Sequence, residues 1–435
     1  MSSAELDITK CGPVLRRLNW SAAAKVWKSD WDAAEPAFRP GEMACLQPAY
    51  IRSQCQSVHM SDEATAAVEA AAVAISHNPA LERLAWQCVW EMHYCEDRRV
   101  EHIYSWPMPP ASLGIGGDLL YAVACMSGLP QMRARHVKHR VPATITYDTM
   151  DDVERWMHDR RACHGRWLFD HHGWMALHCQ GYLYRLGRLQ FERSTYAEEF
   201  HVWRHGKTGR IVVFADDGSK IDATGHYRQK GRAAFTTRYN VAGDHVEGYP
   251  VHPDGHIENA RMRLSRPAWK SALSPGDHVL YVHIPAAGPM KPDECLESIE
   301  QAQAFFHRHF PEEAPTAFVS GSWLFDVQLA DHLAPESNIV RFQRMFHLLP
   351  PREASAFQFW QRAFHCQDGQ PPEDLDALPR DTTLRRAILD HVAAGQQWRS
   401  GRMLRLFDEG ALQDQPYRDL PDWADWPGVE IKVRK

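Results

Sequence analysis

The sequence predicts an α/β (α+β) chain in two parts: an all-helical part, then a mixed sheet with flanking helices. Two observations carry this. Before about position 140 the apolar residues recur at spacings of three and four, and no convincing strand interrupts them. Beyond Val141-Pro142, alternating and continuous apolar runs of strand length appear, and a strand–helix–strand–helix–strand order closes the chain. A length of 435 residues suits two or three domains.

In the first part, Ser61 to Ile75 reads as an Ala-rich helix. Asn78-Pro79 is a start signal, because Asn caps free amides and Pro fits the first turn. Leu81, Leu84, Ala85, Cys88, Val89 and Met92 then form one apolar stripe. A further helix runs from Asp118 through Leu119, Leu120, Val123 and Met126 to Gly128, with Pro130 beyond. The change of period sets the expected domains: helical 1–145, mixed sheet 146–412, and a tail 413–435.

The second part opens with helices around 151–162 and 173–182. Residues 186–192 alternate as a strand. Phe200–His205 and 210–215 flank Gly206-Lys-Thr-Gly209, a hairpin signature. Residues 278–284 form an apolar strand, and 293–310 an amphipathic helix with Cys295, Ile299, Ala302, Phe306 and Phe310 on one side. Residues 316–319 read as a strand and 338–348 as a longer one. Helices from Glu353 and over 382–397 follow. Residues 375–381 and everything after Arg402 read as loop or linker.

Composition narrows the function. The formal net charge of −6 leaves no basic excess for phosphates, so nucleic acid is not expected as a partner. The basic run Arg133, Arg135, His136, Lys138, His139, Arg140 reads as a helix face or turn. Ten cysteines lie scattered without CxxC pairs, which sets aside zinc ribbons and thioredoxin-like chemistry. With no visible leader and no window approaching about 18 apolar residues, the expectation is a cytoplasmic protein with free thiols and no membrane segment.

The chemistry concentrates in Leu280–Glu294. An apolar strand runs into a loop of small residues, and a helix follows with Pro292 in its first turn. Small residues allow an anionic ligand to approach the backbone, and helix-start amides face it. This resembles the turn of GNAT-type acyltransferases where the coenzyme A pyrophosphate sits, with 316–322 as the next strand. The stretches 184–191, 249–257, 283–289, 322–324 and 337–343, with 94–99 and 102–114 in the helical part, are similar to those of a bacterial family. Its members pair a helical N-acyltransferase N-terminal domain with a GNAT-like C-terminal domain.

The resemblance implies a small-molecule amine acceptor and coenzyme A or acyl-CoA as co-substrate, with direct attack on the thioester and no metal. It assigns the cofactor to Ile284, Ala286, Ala287, Gly288, Lys291 and Ser322. The usual phosphate loop has Gln or Arg, two residues, then Gly-x-Gly or Gly-x-Ala. Here Ala286-Ala287-Gly288 stands between Pro285 and Pro289, which have no amide N–H, and Asp293 and Glu294 occupy the first helical turn.

His283 ends its strand and suits a general base. Strand alternation puts Tyr281 and His283 on one face and Leu280, Val282 and Ile284 on the other. Asp326 is a candidate to orient the amine or the histidine, and Trp323 to wall the acyl pocket. His252, Asp254 and His256 cluster in a Pro-Asp-Gly turn and are assigned, with Tyr281, to the acceptor. Their alternative use is metal binding, as in a hydrolase. The run Gly114-Ile-Gly-Gly-Asp118 lacks a preceding strand and reads as a helix-entry turn. Two classes therefore compete: an acyl-CoA-dependent N-acyltransferase, and a non-catalytic ligand-binding or regulatory protein on a GNAT-like scaffold.

Overall fold

The structure is a computed structural model that describes residues 7–95, 100–197, 199–228, 231–351, 356–366, 369–407 and 421–433. The chain divides into two compact units, 1–186 and 187–435. The expected boundary at 145/146 falls inside a single helix, Ala143–His164. That helix and His172–Cys179 bury Met150, Val153, Met157, Met175 and Cys179 in the core of the first unit. The strand signals begin only after them.

Capping explains the first unit's helices. Ser61 Oγ accepts from the Ala64 amide ahead of Asp62–Ser76. Asn78 Oδ1 accepts from the Leu81 amide at 3.2 Å ahead of Pro79–His93. Gly128 ends Leu120–Ser127, and Pro130 opens the next helix, Leu129–Lys138. The basic run on that helix is engaged with protein: Arg133 donates to Ser57 Oγ at 2.6 Å, and Arg135 to the carbonyls of Cys179 and His93. Residues 114–118 form a helix start, as expected. The run Ala111–Lys138 is, by length and composition, apolar enough to cross a membrane, which the sequence expectation missed; 78% of its apolar window is buried within the protein.

In the second unit the main sheet is built from β1 (Leu189–Thr195), β2 (His278–His283), β3 (Ala317–Ser322), β4 (His347–Leu349) and β5 (Gly401–Leu406). Their order is β1-β2-β3-β5-β4, and β2 with β3 is a parallel pair among antiparallel ones. The helix Pro292–His309 connects β2 to β3 and buries the predicted stripe of Cys295, Ile299, Ala302 and Phe306. Its Ser298 Oγ accepts from the Leu189 amide at 3.0 Å, holding the start of β1.

A second sheet includes the expected hairpin, Phe200–His205 with Ile211–Ala215. One face, through Phe200, Val202, Val213 and Ala215, shares a core with Val279, Val319 and Leu404 of the main sheet. The opposite face, through Trp203, Val212 and Phe214, packs on Val246, Met262 and Leu264 of a third sheet. A strand covered on both faces is apolar throughout, which is why Ile211–Ala215 does not alternate.

Three expectations are corrected. Residues 338–348 are not one long strand. Ser337 caps a helix, Asn338–Gln343, and only His347–Leu349 is extended. The segment after Arg402 is not all linker: β5 lies between β3 and β4, and Val429–Val433 pairs with Ala260–Ser265. β5 is buried on both sides, Arg405 included, and its guanidinium is held by the Met345 carbonyl at 2.7 Å. The expected tail 413–435 therefore contributes structure over 421–433, with Trp423 in the core. Residues 96–99, 353–355 and 408–420, which carry parts of the expected elements, lie outside the described ones.

Close approach fixes one residue beside the site. A Cβ on Gly401 would stand 1.8 Å from the Phe325 carbonyl oxygen and 2.7 Å from the Asp326 nitrogen. Because both obstacles are backbone, Gly401→Ala should cost about 1–3 kcal/mol. The urea midpoint reports it. Gly243→Ala, where nothing lies within 4 Å, serves as the control and should leave the midpoint unchanged.

Candidate functional site

The site begins where strand pairing stops. The Thr316 amide bonds the His278 carbonyl, β2 and β3 then pair at Leu280–Phe318 and Tyr281–Val319, and among the described residues no rung follows. Each keeps its outer neighbour to the end: β2 pairs with β1 through His283–Gln190, and β3 with β5 through Ser322–Gly401. The sheet therefore opens between its two central strands. At the opening the Val282 carbonyl accepts from Ser320 Oγ at 2.6 Å, so a side chain takes the place of a ladder amide.

Register puts four side chains on one face of the opening. Residues directly opposite in an antiparallel pair share a face, so Tyr281 joins Glu192 and His283 joins Gln190. His283 Nε2 lies 3.1 Å from Glu192 Oε2, and both side chains are mostly buried. A proton on Nε2 donated to that carboxylate leaves Nδ1 as the imidazole's acceptor. The Tyr281 ring sits 4.9 Å from that of His283. Its hydroxyl reaches over β3 at Gly321, where a Cβ would stand 2.7 Å away.

After His283 the chain enters the small-residue loop. Ile284 and Ala287 are half-buried, while Ala286 and Gly288 are exposed, and Gly288 has φ +90°. Lys291 points its ammonium to Glu294 at 2.7 Å, so it offsets one of the two carboxylates in the helix's first turn.

Three candidates take other roles. Asp326 is fully buried. Its carboxylate accepts from the backbone amides of Arg399 at 2.5 Å and Gln328 at 3.0 Å, and from the Gln328 side chain. Burial pushes its carboxyl above the usual range against those donors. It ties the loop after β3 to the segment before β5, and neither the catalytic role nor an orienting bond to the histidine is among its contacts. Trp323 packs in a core with Leu329, Val340, Phe359 and Trp398, instead of lining an open pocket. Ser322 Oγ accepts from the Leu324 amide, so it caps the turn.

His252, Asp254 and His256 come together as expected. The turn closes through His252 N to His256 O and Gly255 N to His252 O, both 2.8 Å. His256 Nδ1 meets Asp254 Oδ1 at 2.5 Å, and His252 Nε2 meets Glu258 Oε2 at 3.1 Å. Asp254 and His256 line a cavity of about 370 Å³ with Thr224, His226, Val327, Ala330 and Asp331. Val327–Asp331 belongs to the chain after β3, and Asp254 is bridged to Leu348 of β4, so the cavity stands beside the outer edge of the sheet. Burial, then the charge of Arg399, pulls His226 below its ordinary value; burial, then His256, does the same to His252. Burial pushes Asp254 up, but its bond to His256 and the charge there outweigh this and hold it low. As a metal centre the donors fit poorly. The ligand atoms of His252, His256 and Glu258 lie within 4.8 Å of one another, yet the two rings stack at 4.1 Å and 22° and His256 Nδ1 is already taken by Asp254.

Sequence reasoning missed Arg188, Gln190, Glu192 and Ser320. The alternation read over 186–192 already put Gln190 and Glu192 on one face, although the structure makes 187–188 a turn and starts the strand at Leu189. The missing information was which strand, some ninety residues away, would lie beside them.

Residues 49–181 match the family described as N-acyltransferase N-terminal domain, and residues 183–403 the one described as GNAT-like C-terminal domain. Among solved structures the chain is similar to an acyltransferase in complex with decanoyl-CoA and teicoplanin, with TM-score 0.63, 20% identity, and coverage of 91% of this chain and 99% of that one. It is likewise similar to an acyltransferase in complex with CoA and 10C-teicoplanin, at 0.63, 20%, 91% and 99%. A third, an acyltransferase in complex with decanoyl-CoA, gives 0.62, 21%, 91% and 98%. No curated protein sequence matches. At these identities the likeness is one of fold.

His226 of the cavity and His252 of the adjoining turn make stability pH-dependent. His226 and His252 titrate below their ordinary 6.5 in the folded chain, so the unfolded chain takes up their protons first. Their contribution is complete above about pH 6.5 and is lost as pH falls through the folded values. Asp254, low in the fold, adds stability that goes only in stronger acid. The urea midpoint of the second unit should therefore fall from about pH 7 to about 5.5, and His252→Gln should shallow the slope. A midpoint independent of pH over that range contradicts this assignment.

Proposed function

The chain belongs to the family that joins an N-acyltransferase N-terminal domain to a GNAT-like C-terminal domain, and from that premise we propose that it is an acyl-CoA-dependent N-acyltransferase acting on a polar small-molecule amine. The opening between β2 and β3, next to a small-residue loop and a helix start, carries the reading. The acyl-pantetheine arm would enter between the parted strands, and the pyrophosphate would meet the loop and the first turn of Pro292–His309.

In this reading His283 is the base. The acceptor ammonium loses a proton to the imidazole, directly or through one water, while Glu192 holds the ring's orientation and stabilises the imidazolium. The amine lone pair then forms the C–N bond, the C–S bond breaks, and the CoA thiolate leaves and takes up the second proton shed by the nitrogen, while His283 returns the first to solvent. Positioning supplies much of the acceleration, because both reactants are held before attack. Tyr281, beside His283 and over Gly321, borders the thioester's place. The cavity with Asp254, His256 and Asp331 offers carboxylates and imidazoles to a hydroxylated, cationic acceptor. The solved relatives described with CoA and teicoplanin support an acyl donor and a small-molecule acceptor of this kind.

One observation favours the competing reading of a non-catalytic binding protein on this scaffold. Asp293 and Glu294 stand in the first helical turn, where they oppose a pyrophosphate.

Two measurements decide. CoA or decanoyl-CoA at a hundred times its Kd should stabilise the protein by about 2.7 kcal/mol, read as a raised melting temperature. No shift with either would transfer the case to the binding-protein reading. With an acceptor amine in hand, His283→Gln should lower kcat by about 10²–10⁴ and remove the acidic limb of the pH–rate profile, with the melting temperature little changed. Activity per folded molecule equal to the unaltered protein's would remove His283 from the mechanism.

A further inference from the structure

Arg188 sits in the turn before β1, a hundred residues ahead of the small-residue loop, and is 8% exposed. Its guanidinium donates to three carbonyls of that loop: Nη1 to Pro285 at 2.9 Å, Nη2 to Gly288 at 2.8 Å and Nε to Pro289 at 3.1 Å. The turn is itself fixed, since the next amide, Leu189, bonds Ser298 on the helix that follows the loop. A planar fork with donors in set directions dictates where those carbonyls point.

We propose that Arg188 is the positioning residue that turns the loop into a pyrophosphate site, an inference that rests on the acyl-CoA reading above. A carbonyl oxygen facing a pyrophosphate repels it, whereas an amide attracts it. Pro285 and Pro289 have no N–H, so the carbonyl is their whole backbone polarity; both accept from Arg188, and that of Pro285 also from the Ala287 amide at 2.8 Å. The prolines that deprive the loop of donors thus also have their repelling groups drawn away from its open side. The amides of Gly288, Asp293 and Glu294 have no acceptor among the described residues. Gly288, exposed at φ +90°, has nothing within 4 Å of where a Cβ would be, so the approach is clear. Arg188 performs the ordering that a Gly-x-Gly turn achieves by its own backbone. Too buried to serve as a surface ligand, it acts through the loop it holds.

The test compares a donor that carries the pyrophosphate with one that does not. CoA affinity is measured by calorimetry, and transfer is followed from decanoyl-CoA and from the S-decanoyl thioester of N-acetylcysteamine. Arg188→Lys keeps the charge but offers no fork, and Arg188→Gln serves if the lysine variant does not fold. Either should weaken CoA binding and raise the KM for decanoyl-CoA about tenfold or more, while kcat/KM for the cysteamine thioester stays within about twofold. Unchanged CoA affinity would overturn the proposal, as would an equal loss with both donors, the signature of a merely structural arginine. Failure of the unaltered protein to bind CoA at all would remove the acyl-CoA reading and this inference together, whereas CoA binding that survives Arg188→Lys removes only the inference.

Discussion

Everything at the candidate site depends on one interrupted ladder. Parallel strands normally continue pairing as long as both remain extended, and an unpaired buried backbone group is costly. Here β2 and β3 run on for two or three residues after their last rung, and the Ser320 hydroxyl supplies the hydrogen bond that the Val282 carbonyl loses. The opening is thereby a stable feature of the sheet. It needs no ligand to keep its backbone satisfied at that point.

The surroundings hold the two halves apart. β2 is anchored outward by six residue pairs with β1, and β3 by six with β5. Asp326 pins the chain after β3 to the Arg399 amide before β5, and Gly401 admits the Phe325 carbonyl where any side chain would collide. Behind the sheet lie the second and third sheets, whose shared cores leave the middle hairpin covered on both faces. The opening is therefore placed between rigid elements, and the side chains that border it, His283 and Tyr281, stand on strand positions and not on loops.

Local signals in the sequence served well where the determining contacts are local. Asn78 and Ser61 cap the helices they were expected to cap, the Gly206–Gly209 hairpin forms, and the stripe on the helix after β2 is buried as its spacing required. The alternation of β2 correctly separated Tyr281 and His283 from Leu280 and Val282. Signals weakened where burial on both sides erased the alternation. β5 looked like tail for that reason, and residues 338–343 looked extended because Ile339 and Val340 favour strands while the Ser337 cap decides for helix.

The sequence by itself determined the helical and mixed-sheet halves, the strand–loop–helix with its small residues, and the face on which His283 stands. These follow from periodicity, caps and small residues, all of which act within a few positions of one another. Only the tertiary structure decided the partners. Glu192 reaches His283 across ninety residues, Arg188 reaches the loop across a hundred, and Asp326 ties the chain after β3 to the Arg399 amide. Strand register and sheet order set those meetings. They arise from the packing of all the strands together, which no local window of sequence contains.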